Sequence, residues 1–366
     1  MPTSPDLLNL WYTGVNAVGG DSAVSRAIAA GYVERPDKII AVGKAAVAMA
    51  KAAVRQWPDT PCLIVTKYDH AKTAPAGAQV IEAAHPVPDA ASVAAGQTLL
   101  DAVRNCGSDS TLLMLVSGGA SSLVEVPEDG MTLDDLKAET QSLLASGTPI
   151  GEMNAHRTSR SQIKGGKLLA HFKGARVTTL ALSDVEGDSL ATIGSGIGDA
   201  RNDASFIFAP HIIASNAIAR DAVATASSIP VLTNSETLYA DVTDLAPHLG
   251  NVLRDAEPGL HIFGGEPVVQ LPNNPGMGGR NMALGLALAR EIAGTQGLHI
   301  LVAGTDGTDG PTDAAGALVD GSTWEDSGAD ALAAADAYPW LKERDALVIT
   351  GPTGTNVMDL LIAYKA

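Results

Sequence analysis

The feature that most constrains this chain is a hand-over repeated along its length: a short apolar run, then a loop of Gly, Ser or Asp, then a helical stretch. Residues 38–42 run into Gly43-Lys44, and a small-residue helix pattern follows over 45–56. Residues 112–116 empty into Ser117-Gly118-Gly119-Ala120-Ser121-Ser122, and 177–182 into Ser183-Asp184-Val185-Glu186-Gly187-Asp188. Further strands are expected at 62–66, 80–84, 231–233, 260–263, 298–302 and 347–349. Helices are expected at 90–104, capped by Asp89, and at 132–145, 211–226 and 282–293. Apolar runs this short, bounded by turn residues, read as buried strands, and their alternation with helices predicts an α/β architecture throughout. At 366 residues the chain exceeds the size at which one core usually stops growing. The break at Ser227-Ser228-Ile229-Pro230 divides it into 1–228 and 229–366.

Charge narrows the partners. With 24 basic and 41 acidic residues the net charge is −17, which argues against nucleic acid and anionic membranes. An anionic small molecule would need a local basic cluster, so the concentration of Arg157, Arg160, Lys164 and Lys167 in one segment is informative. Cys62 and Cys106 are the only cysteines, too few for a disulfide framework. No stretch approaches 18 apolar residues and no basic, apolar leader opens the chain, so a cytoplasmic protein is expected.

Ligand chemistry collects on the loops. The run 304–316 sets Asp306, Asp309 and Asp313 among glycines and threonines that cannot build a core. It is no EF-hand, because position twelve counted from Asp306 is Ala317. Gly264-Gly265-Glu266 follows a strand, Gly278-Gly279-Arg280-Asn281 precedes a long helix, and the loop 350–356 is expected to open a last helix. The Gly43-Lys44 loop offers N–H groups and an ammonium to an anion, although it lacks the remaining Walker A residues.

These motifs resemble the glycerate 2-kinase family. Gly264-Gly265-Glu266, Gly278-Gly279-Arg280-Asn281, the run 304–316 and residues 350–357 match its C-terminal MOFRL domain. In the N-terminal half, Val42-Gly43-Lys44-Ala45, His85-Pro86-Val87-Pro88-Asp89, residues 117–121, Met153-Asn154 with Arg157, Lys164-Gly165-Gly166 and Ser183-Asp184-Val185 match in family order. The resemblance implies an N-terminal Rossmann-like α/β/α sandwich and a smaller MOFRL-type α/β domain, with the active site in the interdomain cleft. It implies transfer of the γ-phosphoryl of ATP to the 2-hydroxyl of D-glycerate, with Mg²⁺. The catalytic residues it implies are Lys44, Asp184, Arg280, Asp306 and Asp309. Ser117, Gly118, Gly119, Ala120, Ser121, Asn154, Arg157, Glu266, Gly278, Gly279 and Asn356 would bind substrate or nucleotide, and Asp184, Asp188 and Glu266 would hold the metal. Arg280 is the candidate for clamping the substrate carboxylate, with Arg157 competing. His85 and His156 read as structural. Partners are small molecules, with neither nucleic acid nor membrane, and the reading allows for a homodimer.

The sequence departs from the family where Asn281 is followed by Met282-Ala283 instead of Gln-Glu, and where Ser195-Gly196 is followed by Ile197 instead of Pro. These departures bear on the substrate and leave two alternatives: a kinase for another 2-hydroxy acid, or a non-catalytic sugar-acid-binding relative. A third alternative is an NAD(P)H-dependent hydroxypyruvate reductase, which lacks support because no strand is followed by G-x-G-x-x-G.

Overall fold

The computed structural model describes residues 6–145 and 150–366, apart from the side chains at 140–141, 143–145 and 150–154. Its elements run α1 (Leu7–Ala17), α2 (Gly20–Ala29), β1 (Lys38–Val42), α3 (Ala46–Gln56), β2 (Cys62–Lys67), β3 (Gln79–Ala83), α4 (Ala90–Arg104), β4 (Thr111–Val116), α5 (Ala120–Leu123), α6 (Leu133–Ala145), α7 (Ile150–Ser159), β5 (Arg176–Leu182) and β6 (Ile207–Ala214). They continue with α8 (Asn216–Ala226), β7 (Val231–Leu238), α9 (Val242–Asp255), β8 (Gly259–Gly265), α10 (Arg280–Glu291), β9 (Leu298–Gly304), β10 (Gly316–Asp320), α11 (Gly328–Ala333), α12 (Ala337–Lys342), β11 (Leu347–Val348) and β12 (Asp359–Lys365). Among the described residues no helix is long and apolar enough to cross a membrane.

The chain divides into two compact units. The first is Gly19–Ser215 with Gly354–Asn356; the second is Met1–Val18, Asn216–Thr353 and Val357–Ala366. Helix α8, assigned by the sequence reading to the first half, packs on β7, β8 and α1 of the second unit.

The first unit holds a six-stranded sheet in the order β3-β2-β1-β4-β5-β6. Every pairing in it is parallel. The interior of β1 and β4 is buried on both faces, as parallel strands covered by helices must be. The strand order reverses between β1 and β4, and ligands of open α/β sheets sit at such a reversal, beyond the carboxyl ends of the strands. Asp89 caps α4 as expected: its carboxylate accepts from Ser92 N at 2.9 Å, and the Ser92 hydroxyl accepts in return from Asp89 N at 3.1 Å.

The second unit holds a six-stranded mixed sheet in the order β11-β10-β9-β12-β8-β7. Its core packs α9, α10 and α12 against that sheet. Two expectations fail here. Residues 359–365 form no last helix: β12 is a central strand, antiparallel to both β8 and β9. Its run Leu360–Ala363 is buried on both faces, a pattern that periodicity cannot tell from a buried helix. The run 304–316 joins β9 to an antiparallel strand, β10, so the alternation does not hold throughout. In the first unit, residues 211–214, read as helix, belong to β6. That edge strand pairs with β5 alone and tolerates Pro210, the residue that hides it from a strand search.

Candidate functional site

At the reversal of the first sheet, the loops after β1 and β4 interlock. Ser117 N donates to Val42 O at 3.0 Å, and Lys44 N to Gly118 O at 2.9 Å. Ala45 N donates to the fully buried Ser117 hydroxyl at 3.1 Å. In the Gly118-Gly119 turn a side chain is excluded at Gly118 by contact, and Gly119 is in the left-handed region (φ 82°) that favours glycine. A Cβ at Gly118 would run into Asp184 Oδ2 and come within 2.8 Å of Asn356 Nδ2. At Gly119 it would come within 3.2 Å of Lys44 Cγ and 3.3 Å of His85 Nε2. Asn356 Nδ2 lies 3.5 Å from Asp184 Oδ2. Lys44, Asp184 and Asn356 therefore ring one glycine turn, together with a residue the sequence reading left as structural. His85 lies just beyond the end of β3, between that strand and the capped start of α4. Such a ring offers an ammonium, an imidazole, a carboxylate and an amide to a polyanion that approaches the bare backbone of the turn.

Beyond the turn, Ala120 is fully buried and Ser121 shares a 2.8 Å hydroxyl–hydroxyl hydrogen bond with Ser195. Ser121 and Ser122 line a small pocket with Pro86, Glu125, His156, Arg157, Arg160 and Lys164. Glu125 and Lys164 form a buried ion pair there. Burial pulls the Lys164 pKa down while Glu125 opposes the shift. His156 lies 2.8 Å from Glu139 and Arg160 3.4 Å from it, so His156 is part of this wall. Asp188 occupies a left-handed position (φ 52°) on the loop after Asp184. The side chain of Asn154 lies outside the described residues.

The second unit carries its own charged cluster at the start of α10. Arg280 grips Asp359 in bidentate fashion, Nε to Oδ2 at 2.6 Å and Nη2 to Oδ1 at 3.1 Å, and its Nη1 reaches Glu266 at 2.5 Å. Burial works against the Arg280 charge, but Asp359, then Glu266 and Asp309, hold it protonated well above the usual arginine range. Asp359, 1% exposed, begins β12 and was missed because that strand was read as helix.

Asp306 and Asp309 of the run 304–316 part company. Asp309 is buried and accepts from Met282 N at 2.8 Å, so its carboxylate serves the first turn of α10. Gly279 is required there, since a Cβ would strike the Asp309 carboxyl group. Burial pushes the Asp309 pKa up to about 7, against the pull of the Met282 and Asn281 N–H groups and Arg280. Asp306 is only half-buried and folds back on its own loop, accepting from Thr308 N and Oγ1 at 3.0 Å each. The peptide carbonyl of Gly278 packs against the Cα of Gly310, tying this loop to the turn before α10. Among the described residues no group of three or more His, Cys, Asp or Glu side chains gathers to hold a metal.

Comparison with known proteins gives the family of the chain. Residues 6–230 match the model described as "Domain of unknown function (DUF4147)", and residues 259–359 match the MOFRL family. The chain is 35% identical to the D-glycerate 2-kinase of Thermotoga maritima, an alignment covering 95% of each. It is also 38% identical to an Agrobacterium vitis protein that is named a hydroxypyruvate reductase only provisionally, over 88% of this chain and 97% of that one. The crystal structure of the Thermotoga maritima glycerate kinase superposes with a TM-score of 0.87 at 33% identity, covering 98% of both chains. With the DUF4147 match spanning more than half of its length and this relative aligned nearly end to end, the chain belongs to the glycerate 2-kinase family.

Proposed function

We propose that this protein is an ATP-dependent glycerate 2-kinase of the cytoplasm that phosphorylates the 2-hydroxyl of D-glycerate, giving 2-phosphoglycerate and ADP. The observation that carries the reading is the ring of Lys44, Asp184 and Asn356 around the Gly118-Gly119 turn, in a member of a kinase family. Phosphoryl transfer asks a protein mainly to position its reactants and balance spreading negative charge. In this reading the Rossmann-like reversal receives the polyphosphate, and Lys44 balances the charge that develops on the transferred group. Arg280 donates three N–H groups to Asp359 and Glu266, which fixes the plane of its fork at the start of α10.

Mg²⁺ fits the donor set by its chemistry. It is commonly held by one or two carboxylates, several waters and the substrate's own phosphates, so no dedicated cage is needed. Asp184 is the half-buried hard oxygen donor beside the turn, with Asp188 next along its loop, whereas Glu266 is committed to Arg280. When bound, the ion would neutralise phosphate charge.

The test is direct. Purified protein incubated with ATP, Mg²⁺ and D-glycerate should yield 2-phosphoglycerate, recognised by ³¹P NMR, and the homodimer is checked by light scattering on the same sample. NAD(P)H-dependent reduction of hydroxypyruvate without any phosphorylated product would transfer the protein to the reductase reading.

A further inference from the structure

We propose that the pocket around Arg157 is the seat of the acid's carboxylate, with Arg157 as the paired cation and the Ser121 hydroxyl as a donor beside it. The inference rests on the kinase reading and adds to it how the enzyme would recognise a 2-hydroxy acid.

The charge arrangement of the pocket carries the argument. Its walls bring three fixed cations, Arg157, Arg160 and Lys164, against two carboxylates, Glu125 and Glu139. Lys164 consumes Glu125, and Glu139 is shared between Arg160 and His156. Arg157 is left: among the described residues it has no ion-pair partner, in a chain with 17 more acidic than basic residues. A partly desolvated guanidinium beside an already occupied carboxylate is costly unless an anion completes it. Burial pulls the Arg157 pKa down, with only Glu125 acting against it through space. Arg280, the other candidate, is in the opposite condition, with two carboxylates already on it.

Size and placement select the ligand. The free space among the lining side chains is about 20 Å³, room for a single water-sized group. A carboxylate oxygen fits such a void and a nucleotide does not, so the rest of the acid must lie outside it. Ser121 and Ser122 stand on α5, which begins next to Gly119. The Ser122 hydroxyl donates to Gly119 O at 3.2 Å, so this wall of the pocket is joined to the glycine turn directly. In this proposal the acid extends from Arg157 along that wall toward the turn that Lys44 flanks. The recognised class is a short 2-hydroxy carboxylate, and its uncharged analogues are excluded because they would leave Arg157 unpaired.

The proposal is tested by steady-state kinetics on Arg157→Ala and Arg157→Lys, with the neutral amide of glyceric acid as competing ligand. Loss of one charge-assisted pair should raise KM for D-glycerate by about 10- to 100-fold in Arg157→Ala. KM for ATP should stay within about twofold, and the preference for acid over amide should collapse. Arg157→Lys should recover part of the acid affinity, and it keeps the test open if the alanine variant does not fold. A parallel rise in KM for ATP, or an unchanged preference for the acid over the amide, overturns the assignment. Absence of any phosphorylated product from the unmodified protein defeats the kinase reading itself, a different result from either.

Discussion

Lys44 stands two residues beyond β1, where its backbone N–H is spent on Gly118 O and its side chain runs along Gly119. The backbone thus sets where the ammonium can go. Lys44→Met keeps the aliphatic stem that packs on Gly119 and removes the charge alone. If that charge supports the transition state, kcat should fall at least ~100-fold while the fold survives. Kinetics with a circular dichroism control decides it, and near-normal turnover removes Lys44 from the mechanism. Lys44, Asp184 and Asn356 were legible because each stands on a glycine-bearing loop beside a strand end. His85 and Asp359 were not. Nothing local marks His85 as more than a histidine before proline, and Asp359 acquires its meaning only from Arg280, 79 residues earlier.

Among elements, α10 depends on a group the sequence presented as catalytic. Its N-cap is Gly279, which offers no side-chain acceptor, and Asp309 reaches across from the loop after β9 to take the Met282 N–H. Sequence spacing suggested a ligand-facing aspartate; burial makes this one a remote helix cap. The sign of its pH effect follows. Its folded pKa is raised to about 7, so the stabilisation is fully present below the ordinary carboxylate range and is lost as pH rises toward about 7. The loss amounts to about 4 kcal/mol at most, from roughly 1.4 kcal/mol per pH unit over that interval. Asp309→Asn cannot titrate. Relative to that variant, the unmodified protein should lose thermal stability steadily between about pH 4 and 7 and run parallel above that range. Identical slopes for the two proteins across the interval would show that Asp309 stays ionised in the folded state. The same distinction explains β12: its apolar run was visible, but not that its two neighbours would be antiparallel strands.

For the whole chain, the decisive fact is that its order in sequence is not its order in units. It passes from one unit to the other after Val18, Ser215, Thr353 and Asn356. The amphipathic pattern over residues 7–31 predicts two helices, and two form, yet periodicity carries no information on which sheet each will cover. Helix α1 packs on α8, β9 and β12 of the second unit, while α2 packs on α3, β5 and β6 of the first. Trp11 anchors the first of these: it is fully buried, and its indole N–H points to Ala303 O at 3.4 Å. At that length the hydrogen bond is weak, so apolar burial dominates the contact. Trp11→Ala should therefore cost about 3–5 kcal/mol, and the cost should fall on the second unit although the mutation lies near the start of the sequence. Hydrogen exchange followed by mass spectrometry separates the outcomes. Protection should drop in β9, β12 and α8 and persist in β1, β4 and β5. A loss centred on β1 and β4 instead would mean that α1 stabilises the first sheet, as a reading of the chain in linear order expects.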